Sequence, residues 1–102
     1  MSIKKQVLKS KPVSKVTFKV EKEAANGAER IQLAGDFNNW NPEEGTMKGL
    51  KDGSFTLTLD LDNGREYQFR YFADGQTWFN EPHADKHVHS GIADDHNSVI
   101  VL

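Results

Sequence analysis

Cysteine is absent from all 102 residues. That excludes a disulfide framework, a thiol nucleophile, and zinc or iron–sulfur sites built on thiolates. No apolar run approaches the ~20 residues that cross a bilayer. The opening Lys4 and Lys5 are not followed by the apolar stretch of a secretory leader. The expectation is a cytoplasmic protein with no membrane partner. A surplus of one charge is missing too: 13 Lys and Arg stand against 15 Asp and Glu, for a formal charge of −2. The basic residues Lys4, Lys5, Lys9 and Lys11 crowd the start and read as a frayed terminus. The rest is acidic and carries no basic stripe in sequence, so no nucleic-acid partner is expected. Sustained helical spacing is lacking, as are a phosphate loop, a nucleophile elbow and a zinc-protease motif. Glycoside hydrolysis needs two carboxylates flanking one bond, and no pattern here converges such a pair. Neither an enzyme nor a cofactor is expected.

What is present has a period of two. Val16-Thr17-Phe18-Lys19-Val20 alternates strictly, and so does Phe55-Thr56-Leu57-Thr58-Leu59-Asp60-Leu61. Each segment therefore has a dry and a wet face when extended. Ile31 and Leu33 repeat the pattern. Tyr67, Phe69 and Tyr71 share one face of a further run, with Gln68, Arg70 and Phe72 on the other. The chain closes on the apolar run Val99-Ile100-Val101-Leu102. Asn26-Gly27, Asp52-Gly53, Asn63-Gly64 and Asp74-Gly75 punctuate these runs with residues that tolerate positive φ. Glu21 to Glu29 reads as a hairpin loop, and Glu81 to His96 as the longest polar interval. Many short strands with regular turns predict an all-β, antiparallel β-sandwich of six to eight strands. It occupies residues 13–102, after a flexible basic arm over residues 1–12.

Two tryptophans carry the functional reading. Trp40 sits in Leu33-Ala34-Gly35-Asp36-Phe37-Asn38-Asn39-Trp40-Asn41-Pro42, a polar stretch following a strand. It either caps the core or stands as an open aromatic platform. Trp78 precedes Phe79 after the Asp74-Gly75 turn. Only one of these two rings can point inward from a regular strand, and Phe79 can serve as that one. Arg70, between Phe69 and Tyr71, points to the same outer face as Trp78. A pair of open indoles with hydrogen-bonding side chains nearby suits a sugar. The C–H face of a pyranose packs on an indole, and its rim hydroxyls need directional partners. Asn38, Asn39, Arg70, Gln76 and Asn97 are the available donors and acceptors.

Three stretches in order, Leu33 to Trp40, Tyr67 to Trp78 and Asn97 to Leu102, make the chain resemble the family 48 carbohydrate-binding modules. That family is related to the glycogen-binding domain of the AMP-activated protein kinase β subunit. It also includes the N-terminal domains of isoamylases and branching enzymes. The resemblance runs from Val16 to Leu102. It implies an immunoglobulin-like sandwich of the early-set type that binds α-1,4-linked glucan without cutting it. By the same resemblance Trp40 and Trp78 match the two binding tryptophans, Arg70 a basic residue before the second of them, and Asn97 an asparagine opening the last strand. Asn39 and Gln76 complete the candidate set. A glycan-active enzyme or a kinase-like protein is the implied protein partner. Thr77 and the segment Ser90 to His96 depart from the kinase-type pattern. The alternative is a sandwich of the same family that has lost sugar binding and docks on a glycan-active enzyme.

His83, His87, His89 and His96 share one acidic segment with Asp85, Asp94 and Asp95. His87 and His89 alternate as metal ligands on a strand sometimes do. The preferred reading is a polar loop of solvated histidines, with no metal site. A histidine bordering the sugar would make binding pH-sensitive near ~6.5.

Overall fold

An alternating strand has one dry face, and that face needs a second layer to cover it. The computed structural model describes residues 3–8, 10–90 and 96–102. In it the alternating segments form β2 (Val13–Val20) and β5 (Phe55–Asp62), paired so that Val16 meets Leu59 and Phe18 meets Leu57. With β1 (Ile3–Val7) and β4 (Lys48–Gly49) they make one sheet, in the order β1-β2-β5-β4. The other sheet is built from β3 (Ile31–Gly35), β6 (Glu66–Ala73), β8 (Lys86–His89) and β9 (His96–Val101). Its order is β3-β6-β9-β8, and β7 (Thr77–Phe79) pairs with the end of β6. Every pairing is antiparallel. The chain is an all-β, immunoglobulin-like antiparallel sandwich.

Nine strands occur among the described residues. The excess over the expected six to eight comes from pieces too short to show a period, such as the two residues of β4 and the three of β7.

The core lies between the sheets. Phe18 of β2 meets Phe69 of β6 edge-on, with ring centroids 5.2 Å apart at 73°. Both rings are fully buried, and burial of such a side chain contributes roughly 2–3 kcal/mol. Ile31, Leu33, Tyr71 and Ile100 extend this contact from the second sheet. Tyr67 reaches back across the β5–β6 corner and donates its hydroxyl to the Asp62 carbonyl at 2.9 Å, tying one sheet to the other.

A buried polar knot holds the segment after β7. Glu81 is 1% exposed, and its Oε1 accepts the Tyr71 hydroxyl at 2.8 Å. Its Oε2 accepts the His83 amide, and its own amide donates to Ser98 Oγ. Burial, then the Glu81 charge and this hydrogen bond, push the Tyr71 phenol well above its ordinary pKa.

Two local expectations meet a different structure. The basic stretch read as a flexible arm contains β1, which pairs with β2 from Ile3↔Phe18 to Val7↔Ser14. Ile3 is buried, and Lys5 bonds both the Asp85 carboxylate and the Val101 carbonyl. One apolar anchor and a distant acid hold the strand, and neither makes a periodic signal. In the Glu21–Glu29 interval, read as a hairpin loop, Lys22–Ala25 forms a single helical turn. Asn26 and Gly27, at φ 50° and 79°, then end it. The polar interval after Glu81 contains β8, and residues 91–95 lie outside the described residues.

Candidate functional site

The outer face of the second sheet is where the candidate residues gather. On β6, Tyr67, Phe69 and Tyr71 point inward and are buried, so Gln68, Arg70 and Phe72 point outward. β6 pairs with β9 as far as Phe69↔Ser98 and with β7 from Tyr71↔Phe79 onward. Arg70 stands at this change-over, opposite the start of β9. There Arg70 Nε donates to Asn97 Oδ1 at 2.6 Å, and Asn97 Nδ2 donates to Gln68 Oε1 at 2.9 Å.

Trp78 is placed by the tight turn between β6 and β7. Asp74 and Gly75, at φ 52° and 67°, are the two successive positive-φ residues of a turn closed by the Gln76 amide donating to the Ala73 carbonyl at 3.0 Å. The register then sets Phe72 opposite Trp78. Phe79 goes inward and packs on Tyr71 with centroids 5.2 Å apart. Trp78 goes outward and lies on Phe72, with centroids 4.2 Å apart and planes within 25°. It remains 43% exposed. One face of the indole rests on a partner while the residue stays open to solvent.

Trp40 is placed by the loop after β3. Gly35 ends that strand where a Cβ would come within 2.5 Å of the Gln68 carbonyl oxygen. A single 3-10 turn follows at Asp36–Asn38, and both Asn39 (φ 54°) and Trp40 (φ 59°) are left-handed. Asn38 stabilises the bend, accepting the Gly35 amide at 3.0 Å and donating to the Leu33 carbonyl at 2.9 Å. Its amide is therefore engaged by backbone. Trp40 is half-buried. Its indole Nε1 donates to Asp36 Oδ1 at 3.0 Å, and its amide donates to the Gly35 carbonyl at 2.9 Å.

Trp40, Trp78, Arg70 and Asn97, with Ser90, line one groove of about 260 Å³. Sheet topology thus brings together side chains 57 positions apart in sequence (40 to 97). Asn39 and Gln76 do not line it. Asn39 borders a cleft with Phe37, Glu44 and Leu59, and Gln76 borders another with Asn26, Asp74 and Thr77. Asp36, Phe72 and Ser90 were not among the sequence candidates. The outward alternation of Gln68, Arg70 and Phe72 signals Phe72's face, but no sequence pattern signals Ser90. The groove offers two aromatic surfaces, one guanidinium and one amide. Among the described residues no carboxylate lines it.

The histidines distribute differently. His87 Nε2 lies 2.8 Å from the Glu81 carbonyl oxygen, and His89 and His96 meet edge-on with centroids 5.4 Å apart. Among the described residues no three His, Asp or Glu side chains gather as metal ligands do. Asp94 and Asp95 lie outside the described residues. No helix among the described residues is long and apolar enough to cross a membrane.

Comparison with known proteins adds an independent observation. The model of the family described as "Glycogen recognition site of AMP-activated protein kinase" matches residues 18–100. The 5'-AMP-activated protein kinase subunits beta-2 of Mus musculus, Rattus norvegicus and Homo sapiens are each 36% identical to this chain over 58 residues. Those residues are 57% of this chain and 20% of each relative, so the match spans about a fifth of the relatives' length.

Proposed function

The chain belongs to the family of glycogen recognition sites of AMP-activated protein kinase, and we propose that it binds α-1,4-linked glucan non-catalytically in the groove between Trp40 and Trp78. The observation that carries this reading is the meeting of both indoles with Arg70 and Asn97 at one open groove. Glucose presents C–H faces and a hydroxyl rim. The indoles take the faces by dispersion and apolar desolvation, while Arg70 and Asn97 take the rim. An open groove on the sheet surface suits a chain lying across it rather than a sugar held inside. Asn39 and Gln76, which border separate clefts, are not part of this groove.

The biological use is localisation. A module of this kind holds an attached or associated protein, a kinase-like or glycan-active one, on a glucan particle. Maltoheptaose titrated against tryptophan fluorescence tests the binding reading, with retardation on a glycogen-containing native gel as the second measurement. Saturable changes that vanish in Trp78→Ala support it. A wild-type protein that shows neither overturns it in favour of a protein-docking sandwich.

A further inference from the structure

Asp36 is exposed, yet both of its carboxylate oxygens are engaged, one by the Trp40 ring that lines the groove and one by the backbone of β6. Oδ1 accepts the indole N–H of Trp40 at 3.0 Å, and Oδ2 accepts the backbone N–H of Gln68 at 2.8 Å. Gln68 in turn accepts from Asn97, which accepts from Arg70. Two hydrogen-bonded pieces therefore meet at Gln68: its backbone N–H is tied to Asp36 and the Trp40 ring, and its side-chain Oε1 to Asn97 and the Arg70 guanidinium. Asp36 is the link between the β3 loop and β6.

Trp40 needs such a link. It holds φ at 59°, a region that bulky side chains rarely adopt. Neighbouring contacts must hold a residue in that conformation. The loop around it has few apolar groups, so packing alone is a weak constraint on the ring. We infer that Asp36 is a positioning residue for the glucan groove: its carboxylate clamps the Trp40 indole to β6, fixing the first aromatic platform at a set distance from Arg70 and Asn97. This rests on the groove being the sugar site. A carboxylate is suited to the task because it accepts on both oxygens, whereas an asparagine amide accepts on one side only. The clamp has a second consequence. With its N–H held by Asp36, Trp40 meets the sugar through its ring surface and not through an indole hydrogen bond.

The test is a double-mutant cycle read by calorimetry with maltoheptaose, using Asp36→Ala, Trp40→Phe and the pair. Trp40→Phe keeps a ring but has no N–H for Asp36 to hold. Asp36→Ala should weaken binding about tenfold in the native background, the size of one charge-assisted hydrogen bond. In the Trp40→Phe background the same change should weaken it less than about twofold. Equal losses in both backgrounds would mean that Asp36 serves only the loop, and the inference falls. A second arm uses sugar-free protein. The Trp40 Nε1 proton resonance should move upfield and exchange faster with water in Asp36→Ala, with the Trp78 resonance in place. A Trp40 resonance that does not move overturns the clamp. Wild-type protein that fails to bind maltoheptaose overturns the groove reading instead, and the resonance arm still decides the clamp.

Discussion

Arg70 and Asn97 lie 27 residues apart and are joined by a 2.6 Å bond from Nε to Oδ1. The bond exists because β6 and β9 are neighbours and each residue stands one step beyond their last pair, Phe69↔Ser98. Asn97 is only 8% exposed. It is a buried bracket, with Arg70 on one side and Gln68 on the other.

Removing that bracket should be felt at the groove. Asn97→Ala leaves Arg70 Nε and Gln68 Oε1 without the partner they share. Maltoheptaose affinity should fall about tenfold, in keeping with the loss of one hydrogen bond to a charged group. Arg70→Lys should also bind several-fold more weakly, because an ammonium is a point donor where guanidinium presents a planar fork. Calorimetry measures both, and an unchanged far-UV spectrum shows the fold is intact. Affinity equal to wild type in Asn97→Ala would remove the bracket from the account.

Phe72 is the floor under Trp78. Phe72→Ala should cost about 1–2 kcal/mol, because the ring is only half-buried and a stacked pair adds ~1 kcal/mol beyond its area. Affinity should drop with it, since Trp78 loses its backing. Phe72→Leu should restore stability more than affinity, having bulk without a flat face. Urea melts and sugar titrations of the two variants separate the effects.

Tyr71→Phe keeps the ring and deletes the hydroxyl that Glu81 Oε1 accepts. A buried carboxylate that loses a partner costs about 1–3 kcal/mol, visible as a lower denaturant midpoint at neutral pH. Burial first, and then the Glu81 charge, raise the Tyr71 pKa in the folded state. The folded protein therefore holds that proton more tightly than the unfolded chain. This contribution is complete below the unfolded tyrosine pKa of about 10 and is lost as pH rises from there through the folded value. Stability of wild type should fall on the alkaline side of about pH 10, and Tyr71→Phe should fall less steeply.

Asp85 closes the opposite edge. It binds Lys5 of β1 and accepts the Val101 amide at 2.7 Å. Partial burial raises its pKa, but the Lys5 and Val101 hydrogen bonds and the Lys5 charge outweigh that and leave it below the ordinary value. The folded state thus favours the ionised form. Its stabilisation is present above the unfolded aspartate pKa of about 3.9 and is lost as pH falls through the folded value. Asp85→Asn should flatten the acid limb of the stability curve and lose at most about 1 kcal/mol at neutral pH, as exposed pairs do. Amide exchange in β1 should speed up in the same variant.

Much of the architecture was readable because a strand writes its burial into every second residue. β2, β5 and β6 each bury one side of an alternating segment, and that pattern survives without coordinates. Trp78 facing outward followed from the same parity, once Phe79 was given to the core. The one-turn helix at Lys22–Ala25 and the strand β1 were not readable in this way. One is shorter than a helical period needs, and the other is held by Ile3 and by an acid 80 residues away. Asn39 and Gln76 show the same limit at the site. Both stand one or two residues from a binding candidate in the chain, but turns at Trp40 and Gly75 aim them at separate clefts.

Composition and periodicity by themselves settled that this chain is a two-layer β protein without thiol chemistry. Those features depend on residue type and on spacing within a single segment. The meeting of Trp40, Arg70, Trp78 and Asn97, and the place of Asp36 among them, came only from the tertiary structure. Strand order and register are properties of pairs of segments distant in the chain, and hydrogen bonds across them form only once the two layers have closed on a shared core.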